Sequence, residues 1–300
     1  MTKKPVFILS ILAALLVLQV GLLCLSFEVF HHHRPGPEAK KERLLLRTFY
    51  EGPTIYDSFY SAGASQVIEP EREVVAGIIP HHLIVGDKIA AFFLGLEKED
   101  YDTVILLSPN HFNLTSKRII ISGVDWQTPY GRLETDEPLA RSIASSTGFL
   151  YLEDGGLARE HGVNYETPFI KRSFPDAKLV AVIIKKEAKK DDLDRLALAI
   201  GHASSGKRVL VLASIDFSHD LTADQADAED RVSNEVIGGL SLERYEEIRA
   251  DCPAAVYAAM KYASLSGAQE PRLLWNTNSS RLIDRPQEAG VSHNFYYFLR

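Results

Sequence analysis

Three apolar runs rich in β-branched residues recur along the chain, and a polar segment containing histidine follows each of them. The runs cover residues 74–79, 103–107 and 208–213, and the segments after them contain Pro80-His81-His82, Asn110-His111 and Asp216-Phe217-Ser218-His219. Such runs are typical of strands buried on both faces. In an open α/β sheet, ligands bind beyond the carboxyl ends of the strands. The pattern therefore predicts three neighbouring parallel strands whose histidines meet at one pocket.

Apolar residues at helical spacing over 85–96 separate the first two runs, which predicts a parallel pair joined by a right-handed crossover. The same reasoning predicts helices over 137–145, 166–174, 193–203 and 223–240, a helix opened by Asp251-Cys252-Pro253, and strands over 118–122, 178–184, 272–277 and 291–299. No repeat and no change of composition follows residue 50. We therefore expect a single α/β domain with a central mixed, largely parallel sheet flanked by helices.

An apolar run near the N-terminus, residues 5–27, is long enough to cross a bilayer core of about 30 Å as a helix. Its end does not resemble a signal-peptide cleavage site. We predict an uncleaved single-pass transmembrane helix, so that the protein is localised to a membrane with its globular domain on the exterior side. The predicted division is a tail over 1–4, the anchor over 5–27, a juxtamembrane linker and lead-in over 28–66, and the folded domain over 67–300.

Composition excludes several classes of protein. The net charge of −7 argues against a nucleic-acid binder, which would carry a basic footprint. The two cysteines are Cys24, within the apolar run, and Cys252, so we expect no disulfide framework. The adjacent histidines 31–33 lie in a Pro/Gly stretch that we interpret as a solvated linker. No Gly-x-Gly-x-x-Gly, P-loop or Gly-x-Ser-x-Gly motif is present.

The candidate metal-binding cluster comprises three strand-end histidines and one cysteine, with three further polar neighbours: His81, His111, His219 and Cys252, then Asp216, Glu160 and His161. Imidazoles together with a thiolate suit iron, zinc or copper. Cys252 lies by a predicted helix N-terminus, where the thiolate is favoured. The alternative is that the histidines cap the sheet and that Cys252 is a small buried hydrophobic residue.

Several short blocks, in this order, resemble the Memo family, called AmmeMemoRadiSam system protein B in prokaryotes, from about residue 67 to the C-terminus. The blocks are Ile79-Pro80-His81, Leu107-Ser108-Pro109-Asn110-His111, Glu160-His161 with Pro168-Phe169 behind it, Ser214 to His219, Asp251-Cys252, and Val291-Ser292. The resemblance implies a fold like that of the class III extradiol dioxygenases, a metal pocket at the strand ends, and a functional link to other AmmeMemoRadiSam system proteins.

The resemblance also implies roles for single residues. His81, His111 and Cys252 match the family's metal ligands, and His219 matches a fourth ligand or an acid–base residue. His219, His161 and Glu160 are therefore the expected catalytic residues. The implied cofactor is one transition-metal ion, Fe(II) first, with copper or zinc as alternatives.

The chain departs from the family pattern at three positions. Asn164 stands where an acidic residue is usual, Glu166 where histidine or glutamine is usual, and His82 where small residues are common. We expect these residues at the pocket rim, where they would alter the preference for a substrate or partner.

Three functions follow from this cluster. The resemblance favours a redox metalloprotein with oxygenase-type activity, in which the thiolate donates charge to the metal. A zinc-type hydrolase would instead use the metal to lower the pKa of a bound water, with His219 or Glu160 moving protons. A non-catalytic protein would use the same pocket to bind a small molecule, a peptide or a metal ion for delivery.

Overall fold

The computed structural model of the chain describes residues 42–300, and the compact unit runs from Arg43 to Arg300. The strands of this part are β1 Leu45–Arg47, β2 Val74–Ile79, β3 Thr103–Pro109, β4 Ile119–Ser122, β5 Asp125–Thr128, β6 Gly131–Leu133, β7 Leu150–Leu152, β8 Lys178–Ile184, β9 Val209–Ser214, β10 His219–Leu221, β11 Glu270–Asn278 and β12 Gly290–Leu299. Its α-helices are α1 Thr54–Gly63, α2 Gly86–Gly95, α3 Glu137–Thr147, α4 His161–Asn164, α5 Thr167–Ser173, α6 Lys190–Ala203, α7 Ala223–Gly238, α8 Pro253–Leu265 and α9 Ser279–Leu282.

The main sheet has four parallel strands at its centre, in the order β2, β9, β3 and β8. On one side β12 runs antiparallel to β2 and also pairs with β10 and β11. On the other side β4 runs antiparallel to β8 and parallel to β7. The strands predicted over 74–79 and 178–184 are confirmed. The sheet is mixed as predicted, but its parallel pairs are confined to the centre and to β4 with β7, so "largely parallel" overstates them.

The centre of the sheet is buried on both faces, which explains the unbroken apolar runs of its strands. Alternate residues of β3 enter opposite layers, with Ile105 and Leu107 on one face and Val104 and Leu106 on the other. The first face packs against α3, α6 and α8, and the second against α1, α2 and α5. Helices on both faces leave the strand ends as the exposed edge at which a site can form.

The predicted transmembrane helix and membrane localisation are corrected by the structure. Within residues 42–300 no helix combines the length and apolarity needed to cross a membrane. The longest helix of that part, α7, has 16 residues, which is about 24 Å at 1.5 Å per residue and shorter than a bilayer core of about 30 Å. The run over 5–27, on which both predictions were based, lies outside the described residues.

Candidate metal centre

The strands that carry the predicted histidines are neighbours. β9 lies between β2 and β3 and is parallel to both. His81 follows β2 by two residues, His111 follows β3 by two residues, and Ser214 ends β9. The carboxyl ends of parallel strands meet at one edge of a sheet. The predicted convergence is therefore confirmed for His81 and His111.

The two strand-end histidines are joined by His161, the first residue of α4. One ring nitrogen from each of His81, His111 and His161 lies within 4.8 Å of the other two, so this group can hold a metal ion. The rings of His111 and His161 stack with their centroids 3.9 Å apart. The His81 ring stands edge-on to both, at 5.1 Å from each.

The Nδ1 atoms of the two strand-end histidines have partners on the protein side. His111 Nδ1 donates to Glu160 Oε1 at 2.6 Å, and His81 Nδ1 lies 3.1 Å from Ser214 Oγ. Metal-binding histidines use their second ring nitrogen in this way, since the contact fixes both the tautomer and the ring orientation. The Nε2 atoms face carboxylates at the strand ends, Asp216 and Asp251 in the case of His81 and Asp251 in the case of His111.

Asp251 adds a carboxylate to the histidine group. Its Oδ2 lies 3.4 Å from His81 Nε2 and 3.6 Å from His111 Nε2. The same oxygen accepts a hydrogen bond from the backbone N–H of Asp216 at 3.3 Å, and Oδ1 has no hydrogen-bond partner among the described residues. One carboxylate oxygen therefore faces the Nε2 atoms of both strand-end histidines, and Asp216 Oδ2 also lies 3.5 Å from His81 Nε2.

The three histidines differ in their affinity for protons. Burial lowers the pKa of His81 to about 4, against the opposing charge of Asp251. Burial also acts to lower the pKa of His111, but hydrogen bonds to Asp251 and Glu160 prevail and raise it to about 9. Burial and the charge of His111 lower the pKa of His161. At neutral pH the cluster thus holds neutral His81 and His161 beside a His111 that retains its proton in the absence of metal.

The local sequence explains how His161 reaches the cluster. Glu160 is fully buried, and its Oε1 also accepts from the backbone N–H of Gly162 at the start of α4. A Cβ atom at Gly162 would lie 2.4 Å from Ser108 Oγ and 3.4 Å from His81 Nδ1. Only glycine therefore lets α4 approach the end of β3 this closely.

Two predicted site residues lie elsewhere. Cys252 precedes the first residue of α8 as predicted, but its Sγ donates to Ile184 O at 3.5 Å, within the hydrophobic core. Burial, followed by the charge of Asp251, raises the pKa of the thiol. The environment thus opposes the expected thiolate, although whether Cys252 binds metal stays a prediction. His219 is exposed at the start of β10 and is not part of the three-histidine group.

The three residues that depart from the family's sequence pattern have different environments in the structure. Asn164 is buried, accepts a hydrogen bond from the backbone N–H of Phe49 at 2.7 Å and donates to two backbone carbonyls, so it secures the loop after β1. Glu166 is fully buried with neither oxygen paired among the described residues. Burial, with a smaller contribution from the charge of Asp216, raises its pKa well above the ordinary value. His82 contacts His293.

A cavity of about 470 Å³ opens beside His81 and His161. Its other walls are largely aromatic and aliphatic, with one buried carboxylate: Tyr50, His82, Leu83, Ile84, Tyr165, Val291 and Asp216. Burial raises the pKa of Asp216 to about 6. A smaller recess of about 230 Å³ lies beside His111 and Asp251 and includes Lys185 and Lys186. The histidine group is thus accessible from two sides.

The sequence did not predict that Ser214 and Asp251 contact His81, or that His293 contacts His82. Asp251 and Ser214 stood within recognised blocks, which was the only available signal, and their proximity to His81 is seen only in the structure. His293 follows the closing Val291-Ser292 block directly, but nothing in the sequence shows that β12 lies beside β2.

The fold and site define an α/β protein with a candidate metal centre at the carboxyl ends of its parallel strands. The sequence model of the family described as Memo-like protein matches residues 55–293. The chain therefore belongs to the Memo-like family, as its sequence blocks predicted.

Curated relatives agree with this assignment. A MEMO1 family protein from Thermococcus kodakarensis is 29% identical over 291 residues, which cover 83% of this chain and 99% of the relative. Another, from Methanosarcina acetivorans, is 30% identical over 218 residues, or 70% and 80% of the two chains. An uncharacterized protein of known crystal structure from Escherichia coli K12 covers 74% of this chain and 99% of its own, with a TM-score of 0.49 and 11% identity.

Proposed function

We propose that the protein is a mononuclear metalloprotein, with the ion held by His81, His111 and His161 together with Asp251 Oδ2. The observation that carries the proposal is the position of that oxygen, 3.4 and 3.6 Å from the Nε2 atoms of His81 and His111. Two donors that each bind one ion at about 2.1 Å, at roughly tetrahedral angles, are themselves about 3.4 Å apart. His81, His111 and Asp251 therefore fit a shared ion with little movement, and a ring nitrogen of His161 lies within 4.8 Å of those of the other two histidines.

The chemistry of the donors favours Fe(II). Imidazole nitrogens with one carboxylate oxygen form the donor set of many non-haem Fe(II) enzymes, whereas Cu(I) prefers the soft sulfur ligands that this set lacks. When bound, Fe(II) would supply one-electron redox chemistry, and we propose an oxidoreductase of the oxygenase type. The substrate would be a small organic molecule with both apolar and polar groups, since the cavity beside His81 and His161 combines aromatic and aliphatic side chains with histidines and one carboxylate.

The protein side of such a reaction falls to residues around the ion. Glu160 and Ser214 orient the rings of His111 and His81 through their Nδ1 atoms. Asp216 adjoins the cavity with a pKa near 6, so it can exchange a proton with a bound molecule near neutral pH. Glu160 is buried and already bonded to His111, which supports an orienting role more than direct catalysis. His219, expected to be catalytic, is outside the walls of the cavity.

A zinc hydrolase is the second candidate. Three imidazoles are also the ligands of some catalytic zinc sites, and the observation that favours this function is the inclusion of His161 in the group. In that case the ion would lower the pKa of a bound water without redox chemistry.

The test is reconstitution of the metal-free full-length chain under anaerobic conditions with Fe(II) or Zn(II). We expect one tightly bound Fe(II) at the His81 cluster and oxygen uptake with at least one member of a panel of catechol-like compounds. Hydrolysis of ester substrates by the zinc form alone would favour the second candidate. Failure of both ions to bind would contradict the proposed metal centre, and binding without either activity would support a non-catalytic role.

The fourth donor is tested by two adjacent variants. Asp251→Asn should weaken metal binding strongly, whereas Cys252→Ser should leave it within a few-fold of the parent, because the thiol lies in the core. The opposite result would restore Cys252 as the ligand that the family resemblance implies.

A further inference from the structure

A second pair of imidazoles lies beside the first cluster. His82 Nδ1 is 3.0 Å from His293 Nε2, and the ring centroids are 5.2 Å apart. His82 comes from the end of β2 and His293 from the middle of β12, so the antiparallel pairing of these strands brings them together. Neither residue belongs to the group formed by His81, His111 and His161.

A third imidazole approaches the pair from β10. His219 is paired with Val291, two positions before His293 on β12. Alternate residues of a strand project from the same face, so His219 and His293 lie on the same side of this part of the sheet.

The pair lacks a hydrogen bond to an acidic residue, although the charge of His82 acts on the nearby buried carboxylate of Asp216. Among residues 42–300, neither His82 nor His293 is hydrogen-bonded to a carboxylate, and the fully buried His293 has no partner for its Nδ1. His82 and Val291 both line the cavity of about 470 Å³, so an ion has a route to the pair.

We propose that His82 and His293, with His219 as a third donor, form a second metal site that takes Zn(II). Two nitrogens bound to one ion at about 2.0–2.1 Å are about 3.0 Å apart when they subtend an angle near 95°, and somewhat further apart in a tetrahedral site. The observed 3.0 Å separation of His82 Nδ1 and His293 Nε2 therefore requires only a small opening of this pair. The exposed His219 side chain would have to turn towards the pair to complete the site, since the three do not already form a close group of ligand atoms like that of the first cluster. Imidazole is a preferred ligand of zinc.

The experiment counts zinc ions in full-length protein that carries His31→Ala, His32→Ala and His33→Ala, because the adjacent histidines 31–33 would bind zinc adventitiously. The metal-free protein is titrated with Zn(II) in competition with a chromophoric chelator. We expect two equivalents per chain. His82→Ala and His111→Ala should each leave one, and the double variant should leave none. His202→Ala is the matched control, since this exposed histidine at the end of α6 should leave two.

The outcomes separate this inference from the proposed function. The second site would be overturned, and the first would stand, if the parent protein bound one zinc ion per chain and that ion was lost in His111→Ala but kept in His82→Ala. Two equivalents in His82→Ala would also overturn it. One equivalent that disappears in His82→Ala and persists in His111→Ala would support the second site and contradict the first.

A further variant protects the test against misfolding. His219 is exposed, so His219→Ala should fold normally and should weaken the second zinc at least tenfold, without affecting the first. Unchanged affinity in a correctly folded His219→Ala protein would remove His219 from the site. If His82→Ala also kept both ions, the inference as a whole would fail.

Discussion

Glu160 and Glu166 are both fully buried, lie six residues apart and flank the same short helix, α4, but their environments are opposite. The carboxylate of Glu160 accepts hydrogen bonds from His111 Nδ1 and from the backbone N–H groups of His111 and Gly162. Glu166 has no hydrogen-bond partner among the described residues, and burial raises its pKa. The surroundings of Glu166 favour the neutral acid, because no donor compensates for its burial.

The difference shows that burial alone does not make an acidic residue part of a site. Glu160 is bonded to a histidine whose other nitrogen faces Asp251, so it has a defined effect on the candidate metal centre. Glu166 adjoins the same helix without any such connection. The comparison predicts that substitutions of the two residues will affect different properties of the protein.

The largest effect should follow Glu160→Gln. Loss of the charged acceptor leaves His111 poorly oriented, and substitutions of this kind typically lower metal affinity about 10–100-fold. Competition titration of Fe(II) measures the effect. Glu166→Gln is the matched control and should stay within about twofold of the parent. Equal affinities in the two variants would remove the distinction between the glutamates.

Gly162→Ala tests the short helix between the glutamates. The added Cβ would meet Ser108 Oγ at 2.4 Å, and overpacking of this kind costs about 1–3 kcal/mol of folding stability. Urea unfolding of the metal-free protein would measure the loss. The matched control is Gly201→Ala on α6, where the added Cβ atom meets no other atom within 4 Å, so this variant should not be destabilised. Gly148 is not suitable as a control, because its φ is positive and any side chain there would strain the backbone. Equal stability of both variants would contradict the close approach of α4 to β3.

Ser214→Ala extends the comparison to His81. Ser214 Oγ is the neutral counterpart of the Glu160 carboxylate, and a neutral hydrogen bond contributes about 0.5–1.5 kcal/mol. Metal affinity should therefore fall less than in Glu160→Gln, by about tenfold at most. A larger loss in Ser214→Ala, measured by the same titration, would mean that His81 depends on its partner more than His111 does.

Glu166→Gln should change the pH dependence of stability. The pKa of Glu166 is raised in the folded state, so its contribution is fully present below the unfolded pKa of about 4.3 and is lost as pH rises through the folded value. The unfolding free energy of the parent should thus decline relative to Glu166→Gln as the pH rises above the unfolded pKa of about 4.3. Parallel pH profiles for the two metal-free proteins would show that Glu166 is not held in its neutral form.

Much of the fold was predictable because its signals are local. The unbroken apolar runs identified β2, β3 and β9, and the rule for parallel strand ends brought His81 and His111 together. The sequence does not show which of the adjacent side chains, Asp251 or Cys252, faces the pocket. Tertiary packing decides it. The contact between His82 and His293 depends on a pairing across more than 200 residues, which no local pattern reveals.

X-ray absorption at the zinc edge tests the proposed donor set most directly. The sample would be His82→Ala protein that lacks the histidines at 31–33 and carries one equivalent of Zn(II), so that only the first cluster is filled. The account predicts nitrogen and oxygen neighbours alone, at about 2.0–2.1 Å, with the outer-shell scattering of imidazole rings. A sulfur neighbour at about 2.3 Å, or a protein that retains no zinc after desalting, would contradict it.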